Sequence, residues 1–582
     1  MRKWLLFGLI ALVGALGWLY AARYELAGWA FLPSGEVRAA EYRVCVEHGV
    51  AMTAPDGVVL RADIHRPCAL KQAPTILVRI PFSRSLKNEL GAGALAHFWA
   101  ARGYNAVIQG TRGRYKSGGT YYPLRHERQD GIATLEWLAR QPWFDGRIGT
   151  WGASAYGYTQ WAVSDRHDLG LRALNIQIAS SHFGAMFHQG GVFALESALY
   201  WALYSRGPVD IVPTIEMIER GVNGWPLIEA DDRGAENVPF FDDWLTHAAH
   251  EDYWRQIDGN DRASKLAAPV LLMAGWLDPF LPTQLHDFVT IRRAAAPHVA
   301  AGSRLIIGPW THADTIRFPD GTIPGDYRAA TVAPSIPWFD HHLLGRPLAA
   351  SLVAPVQIYV MGENVWRAEQ EWPPARAKPT ALYLAGPGVG GPDAKAGRLT
   401  LEQSNRSEPP VTYNYDPNDP VPTRGGAMLG WRSGIRMQND VEARPDVLLF
   451  TGEPLTADLE VTGPVSAVLH VGTTARNTDF TVKLVDVHPD GKAYNVTDGI
   501  LRRSYPVGAA TEITIELAPT SMLFRSGHRL RVEISSSNFP RFDRNPNTGG
   551  DIARETTPIA ATQTLFLGSD TPSRLILPIV PR

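Results

Sequence analysis

A serine can act as a nucleophile only with help, because its hydroxyl is weakly nucleophilic at neutral pH. Gly152-Ala-Ser154-Ala-Tyr-Gly157 directly follows an apolar run and opens a helical stretch. A reactive serine on a strand-to-helix turn needs small neighbours, because the backbone there is strained and passes close to other elements. Gly152 and Gly157 supply that room, and the helix N-terminus behind Ser154 favours a developing oxyanion. A helix N-cap serine would leave the same pattern, so later residues must decide. Asp278 follows the apolar run Val270–Ala274, and His312 follows Arg304–Ile307. In a chain with 17 histidines most are structural, but His312 stands where an open parallel sheet presents functional side chains, past a strand's C-terminal end. The order Ser, Asp, His is that of α/β-hydrolases. In that reading His312 takes the serine proton and returns it to the leaving group, while Asp278 fixes the imidazole tautomer and stabilises its charged form.

The elements that would position these groups alternate. Pro74–Ile80, Asn105–Gln109 and Arg147–Trp151 read as strands, with a helix over Leu95–Arg102 and another through Ile132–Leu138 capped by Asp130. That order predicts a parallel sheet with helical crossovers. From about Ser180 to Gln256 the chain turns aromatic with helical spacing, a helical insertion, and a helix ending near Leu344 closes the unit. Beyond it, Val356–Met361, Thr380–Leu384, Val465–Val471, Phe480–Val487, Thr511–Leu517 and Arg529–Ser535 read as short strands of an all-β sandwich or jelly roll. The expected organisation is an N-terminal segment over 1–35, an α/β-hydrolase domain over 36–179 and 265–350, a helical cap over 180–264, and a C-terminal jelly-roll domain over 351–582.

Of 582 residues 45% are hydrophobic and 20% charged, the balance of a chain that buries a core. Lys and Arg total 56 against 58 for Asp and Glu, which argues against a nucleic-acid partner. Arg2 and Lys3 precede an uncharged run from Trp4 to Ala22, long enough to reach across a bilayer core. It reads as a retained membrane anchor, a cleaved secretory signal or a buried soluble helix. In the first two cases the body is exported, to the periplasm or another extracytoplasmic face, held there by residues 4–22 or released after cleavage. Cys45 and Cys68 flank a hairpin whose turn centres on Pro55-Asp56-Gly57. A strict ladder places them opposite each other, and an exported compartment permits the disulfide; two free thiols are the alternative. No cofactor and no metal is implied, and no oligomeric state.

The chain resembles the cocaine esterase and X-prolyl dipeptidyl-peptidase family of serine hydrolases, which includes α-amino-acid ester hydrolases. The resemblance is carried by Val107–Gly113, Trp143–Gly146, Trp151–Trp161, Ala274–Asp278 and Gly308–His312, and in the β region by Pro454–Asp458, Gly463–Val465, Asp479-Phe480, Leu484–Val487 and Ser535–Arg541. These matches fall in order over about 45 to 575. They imply a capped hydrolase domain with a C-terminal jelly roll, and they give Ser154, Asp278 and His312 the roles derived above. Three departures bear on the chemistry. The family's Pro-Tyr, whose hydroxyl helps form the oxyanion hole, is Pro81-Phe82 here. Its tyrosine after the nucleophile is Ala155, whose backbone N–H still donates. Its Gln-Asp-x-Arg-Gly reads Gln109-Gly110-Thr-Arg-Gly113. Either the N–H of Phe82 or Ser83 supplies the second oxyanion donor, or the hole lacks it and the enzyme is slow. Members that bind an α-ammonium are expected to place carboxylates beside the triad aspartate, whereas Pro279, Phe280 and Leu281 follow Asp278. That favours a small-molecule ester with an uncharged acyl group, held in an aromatic pocket of Phe183, Phe187, Phe193, Tyr200 and Trp201, unless these rings only fasten the cap. The alternatives are an X-Pro dipeptidyl-peptidase, an amide acylase, or an inactive exported protein that binds a partner through its jelly roll.

Overall fold

The computed structural model describes residues 22–31, 37–259, 261–325, 327–389 and 397–582. Most of the apolar N-terminal run lies outside them. Among the described residues no helix is long and apolar enough to cross a membrane. The helix α1 (Arg23–Phe31) follows that run and lays Tyr24 against Gly93 and His65 of the hydrolase domain.

Ten strands form the first sheet: β1 (Val44–Thr53), β2 (Val59–Pro67), β3 (Ala73–Ile80), β4 (Asn105–Gly110), β5 (Phe144–Ala153), β6 (Leu171–Gln177), β7 (Val270–Leu277), β8 (Arg304–Thr311), β9 (Val356–Val360) and β10 (Val365–Glu369), in the order β1-β2-β4-β3-β5-β6-β7-β8-β9-β10. The strands from β4 to β9 run parallel. Their near-continuous apolar runs are explained by cover on both faces. Alternate residues serve opposite cores: Leu77, Val107, Leu272 and Ile307 pack on the cap side, whereas Ile76, Ile108, Met273 and Ile306 join Trp99 and Trp338 on the other.

Several expectations shift. The helix read over Leu95–Arg102 is α2 (Leu86–Ala100), started by Ser85, whose Oγ accepts the Asn88 N–H at 3.1 Å. Its first two turns are exposed or half-buried and carry no apolar stripe, so periodicity alone began it late. Asp130 caps nothing: the helix α3 (Glu127–Ala139) begins earlier, and Asp130 is a buried partner of Arg112 at 2.7 Å. The strand expected to open the β region, β9, instead joins the hydrolase sheet in parallel register with β8. The hairpin carries a bulge between Glu47 and Val50, so Cys45 faces Arg66. Cys68 lies just beyond the strand end, and the two cysteines are joined as a disulfide with Cα atoms 5.2 Å apart.

Helices between Phe183 and Asp258 form the cap over the C-terminal edge of the sheet. Its interior is a stack of rings, with Phe187 4.8 Å from Trp244 and Trp201 4.9 Å from Trp244. The C-terminal region builds a second sheet of 11 strands, mostly antiparallel, around Phe450, Leu469, Phe480, Val532 and Leu575.

Candidate active site

Strand β5 ends at Ala153 and the helix α4 (Ser154–Trp161) begins at once. Ser154 turns the corner with φ +55°, a left-handed conformation that costs a non-glycine residue about 1–3 kcal/mol. The neighbours explain why it persists. A Cβ on Gly152 would lie 2.5 Å from the Tyr156 carbonyl oxygen, and one on Gly157 would lie 2.6 Å from Ala179 Cβ. Only glycine at both positions lets the turn close this tightly.

Strands β7 and β8 lie beside one another in parallel, so Asp278 and His312 emerge at the same sheet edge as Ser154. The His312 Nε2 is 2.9 Å from Ser154 Oγ, and its Nδ1 is 2.6 Å from Asp278 Oδ2. Asp278 is fully buried, and its other oxygen accepts the Phe280 N–H at 2.8 Å. With a carboxylate facing Nδ1, that nitrogen carries the proton and Nε2 is left to accept the serine hydroxyl. The line can therefore draw a proton from Ser154 and hold it on an imidazolium stabilised by Asp278.

The three expected oxyanion donors separate. Ala155 is the second residue of α4, where a backbone N–H has no intrahelical acceptor. The Ser83 N–H is engaged elsewhere: it donates to Asp210 Oδ2 at 2.6 Å, and the Asp210 N–H donates to Ser83 Oγ at 2.8 Å. Ser83 is thus a clasp to the cap and not an oxyanion donor. Asp210, 127 positions away, gave no signal of that contact in the sequence. The Phe82 carbonyl accepts the Tyr115 N–H at 3.0 Å, while its own N–H meets no acceptor among the described residues. The Phe82 ring stands edge-on to Tyr156 and Tyr204, 5.6 and 6.1 Å between centroids. Burial pushes both tyrosine hydroxyls up to about 12, so they remain neutral donors.

A cavity of about 1310 Å³ opens over Ser154 and His312. Phe183, Tyr200 and Trp201 line it as expected. Phe187 and Phe193 do not: both are buried in the ring stack of the cap, and their role is packing. Phe280 joins Phe183 in the wall, 4.8 Å between ring centroids. The far wall, unforeseen in the sequence, comes from the C-terminal region, where residues Met428 to Arg436 fold over the cavity. Arg432 pairs with Glu196 at 2.8 Å, and the Leu429 N–H donates to Ser197 Oγ at 3.1 Å, fixing this flap to the cap. Four glycines, at 425, 426, 430 and 434, all with positive φ, were the one hint of a special loop.

Comparison with known proteins bears on the family and the fold. Residues 56–314 match the X-Pro dipeptidyl-peptidase (S15 family) model, and residues 351–576 match that of the X-Pro dipeptidyl-peptidase C-terminal non-catalytic domain. The cocaine esterase of Rhodococcus sp. (strain MB1 Bresler) is 35% identical over 578 residues, covering 92% of this chain and 99% of that protein. The crystal structure of an aminopeptidase from a marine sediment Thaumarchaeota archaeon superposes with a TM-score of 0.79 at 23% identity, over 94% of this chain and 99% of the other. An α-amino acid ester hydrolase superposes with a TM-score of 0.76 at 22% identity, over 94% and 98%.

Proposed function

Because the chain belongs to the cocaine esterase and X-Pro dipeptidyl-peptidase family of α/β-hydrolase serine hydrolases, we propose that it cleaves carboxylic esters of uncharged acyl groups through an acyl-enzyme on Ser154. The observation that carries this reading is the hydrogen-bonded line from Ser154 through His312 to Asp278. Ser154 Oγ attacks the ester carbonyl as its proton passes to His312 Nε2. The tetrahedral oxyanion is held by the N–H groups of Ala155 and Phe82. As it collapses, His312 returns the proton to the departing alkoxide and leaves the acyl group on Ser154. A water, deprotonated by the same nitrogen, then releases the acid.

The cavity favours an uncharged acyl group over a free dipeptide amino terminus. Its charged lining is Lys87, Arg317 and Arg436 against the single carboxylate Asp314, apart from His312 itself. An α-ammonium would meet mostly like charge there, which disfavours X-Pro dipeptide release. The relative named cocaine esterase agrees with this preference.

The test is a panel of p-nitrophenyl esters, α-amino esters and X-Pro p-nitroanilides, with a fluorophosphonate probe. Turnover should be highest for uncharged aromatic or aliphatic esters, and Ser154→Ala should abolish both turnover and labelling. Labelling that persists in the variant would remove the assignment of the nucleophile; preferential X-Pro cleavage would reverse that of the substrate.

We also place the protein in an exported compartment, attached through its apolar N-terminal run or freed by cleavage. The Cys45–Cys68 disulfide supports an oxidising location. Cell fractionation, with mass spectrometry of the mature N-terminus, tests it.

A further inference from the structure

A second cluster of reactive side chains lies away from Ser154, where two turns of the C-terminal sheet meet the hydrolase domain. The strand Asn477–Val487 pairs with Arg529–Ser535, with Asp486 opposite Leu530 and Val487 opposite Arg529. That register sets the turn after the first strand beside the turn before the second, so His488 and His528 flank Asp486. The His528 Nδ1 lies 2.9 and 3.1 Å from the two Asp486 oxygens, and the His488 Nε2 lies 3.4 Å from Oδ2. The imidazole rings are tilted by 41° to each other, with centroids 4.4 Å apart. One atom from each of the three residues lies within 4.8 Å of the others.

A hydrogen-bonded His-Asp-His cluster would account for the two contacts to the carboxylate. It does not call for all three residues to bring a ligand atom within 4.8 Å of the others. Nor does it account for the space in front of them: the three side chains line a cavity of about 270 Å³, with Asp320 and Phe318 on its hydrolase-domain side. Around a tetrahedral metal with bonds of about 2.0–2.1 Å, neighbouring donor atoms stand about 3.4 Å apart; the two histidine–aspartate separations, 2.9 and 3.4 Å, lie near that value, and all three donors fall within 4.8 Å. The backbones are already fixed: the His488 N–H donates to the Lys492 carbonyl at 2.8 Å, and the His528 carbonyl accepts the Leu455 N–H at 2.8 Å. The donor atoms are thus pre-positioned, which lowers the cost of assembling a site.

We propose that Asp486, His488 and His528 bind one divalent transition-metal ion of the zinc type, with water from the cavity completing its coordination. Two imidazoles and one carboxylate suit zinc, cobalt or nickel; calcium and magnesium prefer oxygen alone. Asp320 and Phe318 belong to the loop that leaves His312, so an ion here stiffens the junction between the two sheets without touching substrate.

The full-length protein, stripped with chelator and dialysed, is titrated with Co²⁺ by visible absorption and with Zn²⁺ by calorimetry. One equivalent should bind, with ligand-field bands in the visible and a higher Tm for the loaded protein. His488→Gln and His528→Ala should each weaken binding by at least about 100-fold, more than the 10–100-fold expected from loss of an outer contact alone. Fluorophosphonate labelling of Ser154 reports whether each variant is folded. Wild-type protein that takes up no Co²⁺ or Zn²⁺ at millimolar concentration overturns the proposal, whether or not the variants fold. Undiminished binding in a folded variant, or binding of Mg²⁺ or Ca²⁺ in preference, overturns it equally.

Discussion

The two walls that meet at Ser154 are made in different ways. On one side, Ser154, Asp278 and His312 each follow a parallel strand, so one sheet edge delivers all three groups. On the other, the Phe82–Ser83 turn leaves its strand and is held by a residue of the cap, through the paired hydrogen bonds between Ser83 and Asp210. The first wall depends on strand order and tight glycine contacts. The second depends on how an inserted domain sits. In the proposed mechanism, proton transfer and the Ala155 oxyanion donor belong to the sheet side, whereas the second oxyanion donor and acyl selection belong to the wall held by the cap.

The largest effect should come from the sheet side. Asp278→Asn keeps the shape of the fully buried side chain but no longer favours a proton on His312 Nδ1. In the Ser-His-Asp template the equivalent change lowers kcat by about 10⁴-fold. Here kcat on an activated ester should fall by a similar factor with KM little changed. A drop of less than about tenfold would show that the carboxylate does not set the tautomer, and the contrast between the walls would lose its first term.

What the sequence made legible follows the same division. Ser154, Asp278 and His312 could be read because each sits just past a short apolar run, and such runs mark buried parallel strands whatever surrounds them. The left-handed turn at Ser154 could be read from Gly152 and Gly157, whose missing side chains make way for Tyr156 and Ala179. The wall built by tertiary contact could not. Phe187 follows Phe183 by one turn of the short helix Phe183–Phe187, and Phe193 ends the two-residue strand Val192–Phe193, yet both rings pack into the cap stack while Phe183 meets the cavity. Ser83 carries no mark that its N–H is spent on Asp210. The flap from Met428 to Arg436 reaches the cavity from another sheet, a relation no local pattern records. The donor set of Asp486, His488 and His528 was hidden likewise, its third member 40 positions beyond the second and brought near only by sheet register.

The clasp itself gives the intermediate effect. Asp210 is buried, takes the Ser83 N–H and stands 3.5 Å from Arg114. Asp210→Ala frees the Ser83 N–H and lets the Phe82 turn drift. A misplacement of about 1 Å in a reacting geometry costs about 10²-fold, so kcat should drop by up to that amount while Ser154 still reacts with a fluorophosphonate. Tm should fall as well, because the Arg114 guanidinium loses a buried partner. If kcat is unchanged while Tm falls, the clasp is structural alone, and the second wall contributes nothing that the first does not.

The smallest effect, and the sharpest, is expected at Phe82. Two donors are needed at the oxyanion, and the turn after β3 offers two candidates of different kinds: a backbone N–H already present, or a side-chain hydroxyl that Phe82 lacks. The Phe82 N–H has no acceptor among the described residues, while the Ser83 N–H is committed to the cap. Phe82 lines the cavity over Ser154, so its N–H is open to an oxyanion there. If the Phe82 N–H serves, Phe82→Tyr adds a hydroxyl with nothing to complete, and kcat should stay within a few-fold of wild type. The edge-on packing against Tyr156 and Tyr204 would have to accommodate the added oxygen, so a small decrease is also consistent. If the hole instead lacks its second donor, the new hydroxyl should restore part of the 10²–10³-fold that one donor is worth. A rise in kcat of about tenfold or more on one activated ester would therefore refute the backbone donor. It would also mean that the cap-held wall positions the acyl group without stabilising its charge, leaving the sheet edge and Ala155 to carry the chemistry.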